Sequence, residues 1–266
     1  MTAITPDTLL AELHKAADAV SALAAKLTEA DVPAESALPG WTRGHVLAHI
    51  TGISNAMARQ LEYAARGETV ELYDGGYEGR TKAIDMSAGH ALEQHRADLD
   101  SALQRALRAF DSLDAVDTDA VDTDAGETDA GEAAAGAAGW SAPISYRGGV
   151  VLDGGFALWR ELVIHASDLN TGRGPETWSR QFCEHLFTFL AARVPEDQKL
   201  VLQPLGLPRV TIGTGGRSTV VNGMVTDIAA WLAGREPSLG SLRASAAADG
   251  VDLPELLPWP SGVPAK

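Results

Sequence analysis

The spacing of apolar residues is the feature that most restricts the fold of this sequence. From residue 6 to about residue 110, and again from about 149 to 192, apolar residues recur at three- and four-residue steps, which places them on one face of an α-helix. Beyond Pro195 the pattern changes to short segments that are rich in β-branched residues and separated by glycine and proline. The change predicts an α+β protein in which a helical bundle precedes a small C-terminal α+β domain.

Capping residues and helix breakers set the limits of the predicted elements. Thr42 and Ser87 are suitable N-caps, and Gly67 suits a helix end. The glycine- and charge-rich residues 67–85 are predicted to form a loop. The five helices predicted in the first part of the chain cover about residues 6–30, 42–66, 87–110, 149–170 and 178–192. Strands are predicted at 200–204, 209–213 and 218–223, followed by a helix at 224–234.

A tract of small and acidic residues, VDTDAVDTDAGETDAGEAAAGAAG, interrupts the helical region within residues 111–139. It has too few apolar residues to offset the entropy lost on ordering, so we predict a disordered acidic insertion in a loop between helices. Its acidic residues lack the spacing and closing glutamate of an EF-hand calcium loop. The predicted domains are residues 1–175, which include the insertion, and residues 176–266.

The amino-acid composition indicates which binding partners and which cell compartment to expect. The formal net charge of −15 argues against nucleic acid or an anionic membrane as the main partner. The single cysteine, Cys183, excludes a disulfide within the chain and fits a reducing cytosol. The N-terminus lacks a basic start followed by an apolar run, and no apolar stretch is long enough to cross a bilayer. We therefore expect a cytoplasmic monomer that acts on small molecules.

Two segments contain the residues with the clearest chemical meaning. In WRELVIHASD, Glu161 and His165 are four residues apart and project from one helix face, and Asp168 continues that face. Glu161 lies among apolar residues, where a carboxylate is costly to bury unless it is paired or bound to a metal. In the second helix, His49 lies between Leu47 and Ile50, on or beside the apolar stripe. Two histidines and one carboxylate make a three-ligand set that leaves a coordination position open, as in catalytic zinc sites.

Spacing alone leaves other interpretations open. A glutamate and a histidine four residues apart are often a surface pair, and a histidine on an apolar face is often a hydrogen-bonded core residue. His45 and His49 are also four residues apart, although His45 lies in the first turn of its helix. We interpret the remaining histidines as structural or solvent-facing: His14, His90, His95 and His185.

Three segments are more specific than the spacing of single residues: PGWTRGHVLAHITGISNAMARQLEYAARGE, WRELVIHASDL and AAWLAGRE. Together they resemble the mycothiol-dependent maleylpyruvate isomerase family of DinB-like metalloenzymes, which includes other thiol-dependent transferases of actinobacteria. The likeness covers nearly the whole chain apart from the acidic insertion. It implies a DinB-like four-helix bundle with a C-terminal α+β domain, and zinc ligands at His49, Glu161 and His165 rather than at His45.

The resemblance also implies a reaction. The family converts maleylpyruvate to fumarylpyruvate, a cis-to-trans isomerisation in gentisate degradation, with zinc and the low-molecular-weight thiol mycothiol. Carried over to this sequence, Arg235 is the candidate that stabilises charge on the substrate, and Asp168 either binds mycothiol or orients His165. Arg59 is a second candidate for binding mycothiol. Arg235 also suits a simpler role, as a cation at the end of a helix.

Two other functions fit the same residues. A mycothiol S-transferase would share the metal site and differ only in the fate of the thiolate, which stays attached to the product. A non-catalytic metal-binding module is the alternative from another class. The open three-ligand set argues against that module, because structural zinc sites are normally closed by four protein ligands.

Overall fold

The chain divides into two compact units, Thr2–Thr171 and Gly172–Lys266. The structure is a computed structural model, and it describes residues 4–117, 139–247 and 249–260. Helices make up the first unit, and the second combines helices with a five-stranded sheet. This architecture confirms the predicted α+β class. The limits proposed for the two domains, 1–175 and 176–266, stay predictions.

Five α-helices are described in the N-terminal unit: α1 (Pro6–Lys26), α2 (Arg43–Ala64), α3 (Gly76–Ser87), α4 (Leu92–Asp117) and α5 (Val151–Asp168). The four long ones pack as a bundle in which both α1 and α2 contact α4 and α5, while α3 packs on α2. Leu9, Leu13 and Val20 of α1 and Val46 and Ile50 of α2 are fully buried. The apolar stripes read from the sequence therefore face the core.

Three predictions about this unit were wrong. Residues 67–85 were predicted as loop, but helix α3 begins at Gly76, after Gly75 adopts a left-handed φ of 70°. The apolar contact of α3 is concentrated in Ile84, which is 4% exposed, so the amphipathic signal in the sequence is weak. Ser87 ends α3 instead of capping the next helix, and α4 continues through Asp117 into the tract predicted as disordered. The rest of the predicted insertion, residues 118–138, lies outside the described residues.

Arg43 joins the start of α2 to the end of α5. Thr42 caps α2 as predicted, since its side chain accepts a hydrogen bond from the backbone N–H of His45. The Arg43 guanidinium donates to the carbonyl oxygens of Leu169 (2.9 Å) and Asn170 (2.8 Å) and also pairs with Asp31. These contacts satisfy carbonyl groups that the end of a helix leaves free, and they hold the two helices in a fixed relation.

The C-terminal unit consists of α6 (Arg180–Phe189), a 3₁₀ turn (Leu190–Arg193), β1 (Gln198–Pro204), β2 (Val210–Ile212), β3 (Arg217–Gly223), α7 (Val225–Leu232), β4 (Arg243–Ala246) and β5 (Asp249–Val251). The strand order is β2-β1-β3-β4-β5. β1 and β3 are parallel, with Val201 opposite Val220, and the other neighbouring strands are antiparallel. α6 and α7 pack against each other, and α7 also contacts β1 and β3.

Three of these strands, β1 to β3, lie where the sequence predicted them, and α7 lies within the predicted helix 224–234. β4 and β5 were not predicted, because they are short, most of their residues are small or polar, and those of β4 are at most partly buried while those of β5 are exposed. No helix within the described ranges is both long enough and apolar enough to span a bilayer.

Candidate metal centre

Three donor atoms from two helices meet in the N-terminal unit. The Nε2 atom of His49, on α2, lies 2.9 Å from Oε2 of Glu161 and 3.0 Å from Nε2 of His165, both on α5. The distance from His165 Nε2 to Glu161 Oε2 is 3.0 Å, so the three atoms form a nearly equilateral triangle. Across residues 4–117, 139–247 and 249–260, this is the one group of three or more histidine, cysteine or acidic side chains close enough to share an ion.

The secondary structure explains this convergence. Glu161 and His165 are one helical turn apart, so one face of α5 presents both. α2 packs against α5 and places His49 opposite that face, with its side chain 4% exposed. The ring of Trp41 lies edge-on to the imidazole of His49, with centroids 5.7 Å apart, and limits its rotation. The three residues that the sequence predicted as ligands are therefore brought together by the packing of two helices.

His165 is oriented by Asp168. The Nδ1 atom of His165 lies 2.8 Å from Oδ2 of Asp168, one turn further along α5, and Asp168 is 1% exposed. A carboxylate accepts the Nδ1 proton and leaves the lone pair of Nε2 directed at the other two donors, as in the carboxylate–histidine–metal arrangement of many metal sites. Burial disfavours the charged form of His165, but its hydrogen bonds to Asp168 and Glu161 outweigh burial and raise its pKa.

The cluster holds its carboxylate ionised and one histidine neutral. Burial disfavours the charge on Glu161, yet the two imidazoles beside it outweigh burial and hold its pKa well below the usual range. Burial, assisted by the neighbouring His165, lowers the pKa of His49 to about 4. At neutral pH the triangle therefore presents an ionised carboxylate and a neutral imidazole, which are the forms that bind a metal.

This donor set fits a zinc ion. Zinc binds histidine nitrogen and carboxylate oxygen at about 2.0–2.2 Å, which in a tetrahedral site separates the ligand atoms by about 3.3 Å. The observed separations of 2.9 and 3.0 Å need to open by only a few tenths of an ångström. The Nε2 atoms of His49 and His165 lie 3.0 Å apart, and only one proton fits between them. Without that proton both nitrogens present lone pairs to each other, and a cation between them would bind both.

The other predicted residues are not among the three donors. His45 lies outside the triangle, because its Nδ1 accepts from the backbone N–H of Thr42 at the start of α2. Arg59 pairs with the exposed Asp74, at 2.6 Å. Arg235 belongs to the C-terminal unit, where its guanidinium donates to the carbonyl oxygen of Ala233 at 2.9 Å. The functional roles given to Arg59, Asp168 and Arg235 stay predictions.

Arg80 is a residue of the site that the sequence reasoning missed. Its Nη2 atom lies 3.1 Å from Nδ1 of His49, and its guanidinium lies over the ring of Tyr73, 5.9 Å from the centroid. Arg80 was hidden in the segment predicted as loop. A signal was present, since Tyr77, Arg80 or Thr81, and Ile84 have the three- and four-residue spacing of one helix face.

The fold and the site define a class of protein: a helical bundle with a three-donor centre of histidine and glutamate, joined to an α+β unit. Residues 13–120 match the family model of the mycothiol maleylpyruvate isomerase N-terminal domain, and residues 177–258 match that of the C-terminal domain of the same proteins. The chain belongs to the mycothiol-dependent maleylpyruvate isomerase family. His49 and Arg235 lie within the matched spans, whereas Glu161, His165 and Asp168 lie between them.

Solved structures agree at the level of the fold. A crystal structure of a mycothiol-dependent maleylpyruvate isomerase is similar to this chain with a TM-score of 0.76 and 20% sequence identity, over 96% of this chain and 99% of that chain. A crystal structure of a mutant of a mycothiol-dependent maleylpyruvate isomerase gives a TM-score of 0.75 and 19% identity, with the same coverage. A search for similar sequences among curated proteins found no match.

Proposed function

We propose that this chain is a zinc- and mycothiol-dependent enzyme that isomerises maleylpyruvate to fumarylpyruvate in the cytoplasm. The observation that carries the proposal is the triangle formed by His49, Glu161 and His165, in a chain of this family. Three protein donors leave a coordination position open, which distinguishes catalytic zinc sites from structural ones. The fold alone would not support the reaction, because one fold can serve many functions.

The chemistry requires a thiolate. Rotation about the double bond of maleylpyruvate needs a temporary loss of bond order, which a thiolate provides by adding to the alkene and leaving again. Zinc bound by the three donors would supply a Lewis acid that keeps the sulfur of mycothiol deprotonated. Cys183 is unsuited to that role, because it is fully buried and burial raises the pKa of its thiol to about 12.

The protein's own groups prepare and complete this site. Asp168 holds the ring of His165 in the orientation and tautomer that a ligand needs. Glu161 contributes the negative charge that lets the site hold a divalent cation. We assign Arg235 to the stabilisation of charge on the substrate. Asp168 and Arg59 stay the candidates for binding mycothiol.

Turnover of maleylpyruvate, measured with and without mycothiol on zinc-loaded protein, tests the proposal. We expect fumarylpyruvate to form only when mycothiol is present, without net consumption of the thiol. Formation of a stable mycothiol conjugate would instead identify an S-transferase, and zinc binding without either product would identify a metal-binding module. Equal turnover with and without mycothiol would contradict the thiol mechanism.

A further inference from the structure

A pocket lies beside His49, one of the three donor residues, between α2, α3 and α4. It has a volume of about 150 Å³, and the imidazole of His49 forms part of its wall. Tyr73 and Arg80 contribute polar groups, while Ala48, Ile53 and Ile84 contribute an apolar side. A volume of this size corresponds to about five water molecules in the liquid, at about 30 Å³ each, which is enough for a carboxylate and the carbon atoms next to it.

Thr51 marks this pocket as a place where a polar ligand is expected. Its Oγ1 atom is buried and has no hydrogen-bond partner within the described part of the chain, and the residue lines the pocket. A buried hydroxyl without a partner is destabilising, so such atoms in native proteins usually meet water or a ligand.

Arg80 supplies the matching charge. Its guanidinium carries a positive charge, and its contacts among the described residues are with the ring nitrogen of His49 and the ring of Tyr73 rather than with a carboxylate. The acidic residue on the pocket wall, Asp98, accepts a hydrogen bond from Gln94 at 2.7 Å instead. Burial also raises the pKa of Tyr73, so its hydroxyl remains protonated.

The guanidinium of Arg80 reaches both the candidate metal centre and the pocket. Its Nη2 atom lies 3.1 Å from Nδ1 of His49, and the residue forms part of the pocket wall.

We propose that the pocket lined by Arg80, Tyr73 and Thr51 binds a carboxylate of an unsaturated dicarboxylate substrate, next to the donor residue His49. This inference rests on the proposed function for the identity of the substrate. Guanidinium and carboxylate pair through two parallel hydrogen bonds, which fixes the direction of the bound molecule as well as its affinity. Arg80 is in this account a substrate-binding residue.

Binding of maleate to zinc-loaded, thiol-free protein tests the proposal by calorimetry. We expect Arg80→Met to weaken maleate binding by at least about tenfold, the scale of one charge-assisted hydrogen bond, and Thr51→Val by a few-fold. Arg80→Lys should retain part of the affinity. Lys82→Met is the matched control, because it removes an exposed cation from the same helix and should bind maleate as the wild type does.

The uncharged diester dimethyl maleate separates carboxylate recognition from a general change of the pocket. It should bind the wild type and Arg80→Met equally. Equal maleate affinity in the wild type and Arg80→Met would overturn the proposal, and so would an equal loss for maleate and its diester. The binding measurement does not depend on turnover, so it remains interpretable even if the protein does not isomerise maleylpyruvate. If the protein does turn over maleylpyruvate but Arg80→Met binds maleate as the wild type does, only the proposed carboxylate subsite is rejected.

Discussion

The two units each hold a carboxylate among polar partners, and these partners differ. In the C-terminal unit, Asp227 is fully buried and accepts hydrogen bonds from the backbone N–H of Leu239 (3.1 Å) and from the N–H (2.8 Å) and hydroxyl (2.7 Å) of Ser241. In the N-terminal unit, Glu161 instead faces two imidazole nitrogens that face each other as well.

The difference separates a carboxylate with complete hydrogen bonds from one that belongs to a candidate metal centre. The backbone N–H groups that face Asp227 can only donate hydrogen bonds. The carboxylate therefore has its partners without any further group, and these hydrogen bonds hold residues 239–241 in place. The atoms around Glu161 are all able to act as acceptors, and their requirements are met together only by a proton or a cation placed among them. Both sites hold a carboxylate among polar partners, whereas several atoms that can all act as acceptors converge only at the second site.

Removal of one acceptor should have the largest effect. We expect His165→Ala to lower zinc affinity by more than about 100-fold, since loss of an outer partner alone costs about 10–100-fold. Elemental analysis after dialysis against limiting zinc measures this, and His45→Ala, outside the triangle, is the control. Because hydrogen bonds raise the pKa of His165, zinc affinity in the wild type should fall as the pH drops through that pKa. Stoichiometric zinc in His165→Ala would reject the site.

Arg235→Ala tests whether the C-terminal unit contributes chemistry as well as structure. If Arg235 stabilises charge in the transition state, its loss should lower turnover of maleylpyruvate by about 10²-fold while zinc content stays unchanged. Arg217→Ala, which removes an exposed arginine of the same unit, should leave turnover unchanged. Full activity of Arg235→Ala at saturating mycothiol would limit the residue to a favourable interaction with the end of its helix.

Asp227→Ala should give the opposite pattern to His165→Ala. The change leaves the backbone N–H groups of Leu239 and Ser241 without their acceptor, and a buried unsatisfied donor costs about 1–3 kcal/mol. We expect the free energy of unfolding of the C-terminal unit to fall by about 2 kcal/mol in urea titration, with zinc content unchanged. A loss of zinc in this variant would show that Asp227 is more than structural.

Asp168→Asn weakens the site without removing a donor atom. The amide oxygen of asparagine can still accept from Nδ1 of His165, but it lacks the charge that favours this tautomer. We expect zinc affinity to fall about tenfold, near the lower limit for loss of an outer partner. Competition with a chromophoric chelator gives the affinity, and an unchanged value would mean that packing alone orients the imidazole.

Cys183→Ala should have the smallest effect. We expect the free energy of unfolding to fall by about 1 kcal/mol, because the substitution leaves a small cavity. Zinc content and mycothiol-dependent turnover should stay unchanged. Burial raises the thiol pKa from 9.0 to about 12, so the stabilisation from this protonated thiol is present below pH 9 and declines as the pH rises toward 12. Urea titrations between pH 8 and 11 should show this decline in the wild type and its reduction in the variant. An inactive variant with zinc bound would mean that the protein supplies its own thiol.

The sequence predicted what depends on local spacing. Patterns within a few residues were enough to predict three features: the one-turn spacing of Glu161 and His165, the helix cap at Thr42, and the strands rich in β-branched residues. His49 was chosen over His45 by resemblance, and the packing of α2 on α5 accounts for the choice physically.

What the sequence missed depends on contacts distant along the chain. α3 is held by one buried side chain, Ile84, so its composition resembles a loop, and Arg80 was lost with it. β4 and β5 consist of small and polar residues that become strands by pairing with β3 and with each other. Pairing partners of this kind leave no local pattern.

The ligands on α2 and α5 are 112 positions apart in sequence, so an ion bound by them would act as a reversible cross-link that closes a long loop. The entropy of closing a loop grows only with the logarithm of its length, by about 0.6 kcal/mol for each doubling. Lengthening the chain between the two helices therefore changes the assembly of the centre very little. The ligands on α2 and α5 can therefore stay the same while the connection between these helices varies in length.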